Sequence, residues 1–192
     1  MTGNKKANAL VMQSGGPTPV LNRSLFGIVR EALERRAFGA IYGAASGLEG
    51  LLADSLVDLG KPSRAEWSRI ARTPGAALGS TRRRPTAADI PVILDALAKR
   101  GIGYWFIIGG NDSADTGHRV SLASRSTGSE LLVINVPKTI DNDLVVTDHS
   151  PGYGSAARFV ALATMGVGRD AEAMGDAAPV AVLEVMGRDA GW

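Results

Sequence analysis

The chain has no cysteine. Disulfides, thiolate zinc sites and thiol nucleophiles are excluded, and a reducing compartment fits. Charge of one sign is also lacking: 21 basic residues face 19 acidic ones, a formal net charge of +2. That balance gives no support for a nucleic-acid partner, despite the run Arg82-Arg83-Arg84. No apolar stretch reaches the roughly 18 residues that a membrane-spanning helix needs. Residues Met1 to Lys6 are polar, with no apolar core after the lysines, so they do not read as a signal peptide. A cytoplasmic protein that works neither on a membrane nor on nucleic acid is the expectation.

Hydrophobic residues make up 45% of the 192, enough for a real core. The 24 glycines exceed what a helical bundle needs and suit many strand-to-helix turns. Short apolar runs rich in branched side chains stand at Ala9–Met12, Tyr104–Ile108, Leu131–Val136 and Val180–Val185. They read as buried strands. Ile41-Tyr42-Gly43 reads as a shorter one, and Ser46 to Gly50 as a glycine-flanked turn. Helical patterns fall between them: one from about residue 20 to Gly39, a short one over Ser63 to Arg72 and one from Asp89 to Arg100. Two more run over about Asp112 to Ser124 and Ser155 to Ala173. Ser63 with Glu66 three positions on forms a capping-box pattern, and Asp89 reads as the cap of the next helix, since Pro91 is tolerated only in a first turn. Strands alternating with helices imply a three-layer, doubly wound, mostly parallel α/β sheet. The sequence division is 1–152 for this domain and 153–192 for the start of a second.

The strand ends carry the chemistry. Ala9–Met12 runs into Gln13-Ser14-Gly15-Gly16-Pro17, and Tyr104–Ile108 into Gly109-Gly110-Asn111-Asp112-Ser113. Leu131–Val136 runs into Pro137-Lys138-Thr139-Ile140-Asp141-Asn142-Asp143, and Val180–Val185 into Met186-Gly187-Arg188. Pro137 cannot continue a central ladder, so the polar cluster after it sits on a loop where open α/β sheets place ligands. Gly15-Gly16 lets backbone amides approach a phosphate at a helix N-terminus; a tight turn needing glycine only for packing reads the same way. Neither a G-x-G-x-x-G spacing nor a P-loop Gly-Lys-Ser/Thr is present.

In this order the segments resemble the phosphofructokinase family, and specifically its pyrophosphate-dependent branch. The resemblance runs from about residue 8 and also takes in Asn22 and Pro151-Gly152-Tyr153-Gly154. It implies phosphoryl transfer from pyrophosphate to the 1-hydroxyl of fructose 6-phosphate, with Mg2+, by an enzyme that is a homo-oligomer at full length. It further implies Asp141 as general base, Asp143 as a supporting carboxylate and Thr139 as a hydroxyl on the transferring group. Gly15, Gly16 and Gly110 would form phosphate turns, and Arg82 a phosphate contact. Met186, Gly187 and Arg188 would bind the sugar phosphate. Family members usually place a magnesium-binding aspartate where this chain has Asn111, so Asn111 through its carbonyl, or Asp112, would serve the metal. ATP-using members usually have glycine at the positions of Asp112 and Lys138. A carboxylate there would repel a nucleotide's α-phosphate, and an ammonium would pair with a compact donor. The chain also resembles an N-terminal portion, so the sugar site is expected to be incomplete and the 192 residues alone nearly inactive. The rivals are ATP-dependent 6-phosphofructokinase and a non-catalytic relative.

Overall fold

The computed structural model describes residues 6–185. Contacts divide the chain into two compact units, the first ending at Lys138 and the second beginning at Thr139. The division falls upstream of the 152/153 boundary drawn from the sequence.

In the first unit, β1 (Asn8–Gln13) is the centre of a five-stranded sheet. The order is β3-β2-β1-β4-β5, with β2 at Ile41–Ala44, β3 at Leu56–Asp58, β4 at Ile102–Gly109 and β5 at Leu132–Pro137. β1 pairs in parallel with β2 and β4, and β4 with β5, while β3 runs antiparallel to β2. Successive side chains of a strand point to opposite faces. Ala9 and Val11 therefore pack with Leu21, Leu25 and Val29 of α1 (Pro19–Glu34) and Trp67 of α3 (Arg64–Ile70). Leu10 and Met12 pack on the other face. Their partners are Leu48 and Leu51 of α2 (Leu48–Leu52), Ile93 and Leu97 of α4 (Asp89–Lys99) and Val120 of α5 (Asn111–Ser126). Both faces are covered, which is why β1 is apolar without alternation. The result is the expected α/β sandwich of helix, sheet and helix.

Local signals explain the helix starts. Thr18 caps α1 through its side chain, with Pro19 in the first turn. The Ser63–Glu66 capping box forms as the spacing predicts. Asp89 differs: it is the first residue of α4, not its cap. Its carboxylate accepts from the Thr86 amide at 2.7 Å and the Thr86 hydroxyl at 2.9 Å, so it closes the turn before the helix. The glycine-flanked segment at 46–50 is also more than a turn. Gly47, at φ +68°, leads into α2, and β3 follows. Both elements are too short for periodicity to reveal.

Two strand expectations change. Leu131–Val136 reads as buried, but β5 is an edge strand, with Leu132 54% and Ile134 36% exposed. Pro137 is its last residue, opposite Gly109, a position where the missing N–H costs no central ladder bond. Val180–Val185 reads as a strand, yet these residues adopt no regular structure and Val182 is 88% exposed. A strand needs a neighbour for its backbone groups, and no described strand pairs with this segment. The second unit, from Thr139, otherwise consists of a loop, α6 (Tyr153–Met174) and a single 3-10 turn at Gly175–Ala177. Met186, Gly187 and Arg188 lie outside the described residues.

Candidate active site

Parallel register brings three strand ends together. Gln13 lies opposite Ile108, and Gly109 opposite Pro137. One further bond carries each ladder into the loops: the Ser14 amide donates to the Ile108 carbonyl, and the Lys138 amide to the Gly109 carbonyl, both at 2.9 Å. Ser14-Gly15-Gly16, Gly110-Asn111-Asp112 and Lys138 thus leave the carboxyl ends of β1, β4 and β5, where such sheets bind ligands.

Glycine is required at the first turn. Gly15 has φ +80°, and a Cβ there would lie 3.0 Å from Lys138 Nζ. A Cβ on Gly16 would lie 3.2 Å from an Arg82 guanidinium nitrogen, and one on Gly110 would lie 3.4 Å from the Lys138 carbonyl oxygen. Two cations therefore stand against bare backbone. Lys138 is only 6% exposed. An ammonium held where water is scarce acts strongly on any anion that reaches the glycine turn. The Ser113 hydroxyl donates to Ser14 Oγ at 2.8 Å, tying the two glycine turns together.

The arginine loop is fastened to the first turn. The Gly15 amide donates to the Thr81 carbonyl at 2.9 Å, and Ser80 Oγ donates to the Gly15 carbonyl at 2.5 Å. The three arginines then part. Arg83 pairs with Asp89 at 2.6 Å, and Arg84 with Asp112 at 2.7 Å. Hydrogen bonds from Thr86 first, with Arg83 adding to them, hold the Asp89 carboxyl below the usual carboxylate range. Arg82 has no ion pair or hydrogen bond among the described residues, so its fork is available to phosphate oxygens.

Behind the site lies a network absent from the sequence expectations. Gln13, fully buried, donates through Nε2 to Asn22 Oδ1 at 3.1 Å. Asn22 Oδ1 also accepts from the Ala77 amide at 2.7 Å, and its Nδ2 donates to the Thr73 carbonyl at 2.8 Å. Gln13 Oε1 accepts from the Leu78 amide at 2.9 Å. Two side-chain amides thereby hold the segment that leads to Arg82. The available signal was a glutamine ending an apolar strand.

The remaining described candidates lie in the second unit. Thr139 Oγ1 donates to Asp143 Oδ1 at 2.9 Å and accepts from the Asp141 amide at 3.1 Å. Asp141 Oδ1 is buried with no hydrogen-bond partner among the described residues. A buried carboxylate oxygen without a donor is costly, so the position calls for one. Asn142, at φ 54°, clamps the loop by accepting from the Ser150 amide at 2.7 Å and donating to the Asp148 carbonyl at 3.1 Å. His149 stacks edge-on against Tyr153. For a metal, Asn111 brings no charge and the Asp112 carboxylate is held by Arg84. No group of three acidic, histidine or cysteine side chains converges among the described residues. A magnesium ion held by the side chains alone does not fit; one that comes with phosphate oxygens needs only one or two protein oxygens.

The profile of the family described as phosphofructokinase matches residues 8–192. The chain belongs to the phosphofructokinase family. It is 44% identical over 187 residues to the pyrophosphate--fructose 6-phosphate 1-phosphotransferase of Rhodospirillum rubrum, covering 97% of this chain and 46% of that protein. A sulfofructose kinase of Alkalicoccus urumqiensis is 38% identical over 94% of this chain and 46% of its own length. Among solved structures, a pyrophosphate-dependent phosphofructokinase of Nitrosospira multiformis matches with TM-score 0.82 at 38% identity, covering 88% of this chain and 42% of that one. The chain spans about half the length of these relatives. No helix among the described residues is long and apolar enough to cross a membrane.

Proposed function

We propose that this chain carries the phosphoryl-donor site of a pyrophosphate-dependent 6-phosphofructokinase, which transfers phosphate from pyrophosphate to the 1-hydroxyl of fructose 6-phosphate. The observation that carries the reading is the convergence of bare glycine turns, unpaired Arg82 and buried Lys138 at the three strand ends. Backbone amides of Gly16 and Gly110 bind phosphate oxygens, helped by the dipole at the start of α5, while the Gly15 amide, committed to Thr81, fixes the turn that presents them. Arg82 and Lys138 supply positive charge where negative charge accumulates during transfer. Asp112 stands at the first turn of α5, where a nucleotide would have to extend, and its carboxylate disfavours that longer donor.

Asp141 takes the proton from the attacking hydroxyl. Its orphaned Oδ1 supports that role, since a substrate hydroxyl would supply the missing donor. Thr139 orients the acidic loop through its bonds to Asp143 and the Asp141 amide and contacts the transferring group. Met186, Gly187 and Arg188 are proposed sugar-phosphate contacts on the family resemblance. Magnesium bound with the donor would offset phosphate charge. Its protein ligand would be the Asn111 carbonyl, since Arg84 holds the Asp112 carboxylate. A glycolytic enzyme of this kind would work in the cytoplasm, as a homo-oligomer at full length.

Calorimetric titration of the chain with pyrophosphate and with ATP, each with magnesium, tests the donor assignment. Pyrophosphate should bind and ATP should bind much more weakly. A preference for ATP would overturn the donor assignment and leave the fold standing.

A further inference from the structure

Beyond its pairing with Asp112, Arg84 has no role in the proposed reaction. Its guanidinium lies 2.7 Å from Asp112 Oδ2, across 28 residues of sequence. The two side chains are 70% and 56% exposed, and exposed pairs of this kind add little to stability. Yet the backbone that presents Arg84 is held on both sides. Thr81 Oγ1 accepts from the Arg83 amide at 3.0 Å, Arg83 grips Asp89, and Arg119 donates to the Pro85 carbonyl at 2.8 Å. Arg84 and Asp112 also line one cleft with Ser14, Gly15 and Arg82. A fixed base, a charge-assisted bond and a shared cleft suggest a positional role.

We propose that Arg84 is a positioning residue for donor choice: it holds the Asp112 carboxylate at the rim of the glycine-turn cleft and cancels its charge toward a compact diphosphate. The inference rests on the pyrophosphate reading. An unpaired Asp112 would act on both donors. Its charge would repel pyrophosphate, and its side chain would be free to turn away from the path of a nucleotide. With Arg84 in place the carboxylate is fixed and half neutralised, so it blocks extension beyond a second phosphate without weakening the phosphates that do fit.

The test is calorimetric titration of the 192-residue chain and its variants with pyrophosphate and ATP, with far-UV circular dichroism confirming the fold. Arg84→Ala should raise the pyrophosphate Kd roughly tenfold and narrow the gap between the two donors. Arg84→Lys, which keeps the charge, should restore most of both. In an Asp112→Asn background, Arg84→Ala should change the donor ratio less than about twofold, because the residue through which it acts is already neutral. If Arg84→Ala weakens both donors equally, or has its full effect without the Asp112 charge, Arg84 is a direct phosphate contact and the proposal fails. Unchanged binding in Arg84→Ala also sinks it and leaves the pyrophosphate reading intact. If the parent chain does not bind pyrophosphate, that reading fails and the proposal fails with it.

Discussion

Replacing Asn22 with alanine should loosen the arginine loop while the sheet holds. Asn22 is 2% exposed and serves three partners: Gln13 Nε2, the Ala77 amide and the Thr73 carbonyl. Alanine leaves all three without it. A buried group left unsatisfied costs at least about 1 kcal/mol, and the partly buried Thr73 carbonyl can recover some of this from water. The expected local loss is about 2–3 kcal/mol. Hydrogen exchange reads it directly, because the Ala77 amide donates to Asn22 and the neighbouring Leu78 amide to Gln13. Both should exchange roughly 30- to 140-fold faster, while the β1 amides change far less. Asn22→Asp retains Oδ1 and should protect Ala77 better than alanine does. Pyrophosphate affinity should fall with loop protection, because the same segment presents Arg82. Acceleration of Ala77 by less than about threefold would refute the accounting. Equal acceleration throughout β1 would show that Asn22 supports the whole sheet and not the loop.

In a chain of the relatives' full length, Asp141→Asn should lower kcat about a hundredfold or more in a coupled aldolase assay, with a much smaller change in sugar-phosphate affinity. Near-normal turnover would remove Asp141 from the base role. Gly50→Ala should destabilise the first unit by about 3 kcal/mol or more, read as a lower urea midpoint, since its Cβ would fall 1.7 Å from the Ala45 carbonyl oxygen. The Asp89 carboxyl is held below the usual carboxylate range, so its contribution is present above the unfolded value and lost as pH falls through the lower folded value. Protection of the Thr86 amide should therefore fall on acidification below about pH 4, and Asp89→Asn should abolish that dependence.

The layer order and most elements were legible because hydrophobic period and turn residues act locally. The strand β1 and its Gly15-Gly16 exit, the Ser63–Glu66 box and the helix after Gly110 all follow from neighbours in the chain. What sequence hid was long-range. The edge position of β5 depends on which strands pair, not on its own apolar run. Gln13 and Asn22 stand in segments that carry the resemblance, but their partners stay hidden until the fold places the 73–78 segment over them. The division of labour among Arg82, Arg83 and Arg84 is likewise invisible in a run of three, because it is decided by Asp89 and Asp112. Val180–Val185 had the composition of a strand, but composition supplies no pairing partner.

The alignment of three strand exits gives ligand binding a mechanical meaning. A diphosphate held by the Gly15 turn, the Gly110 turn and Lys138 would act as a rivet across β1, β4 and β5. Pulling any one strand out of register would then require breaking ligand contacts as well as ladder bonds. At a ligand concentration about a hundred times Kd, mass action adds roughly 2.7 kcal/mol to the folded state. The anion would thus raise the free energy needed to open this part of the sheet. Amides of β1, β4 and β5 should slow together when it binds, while those of β3, at the far edge, should not.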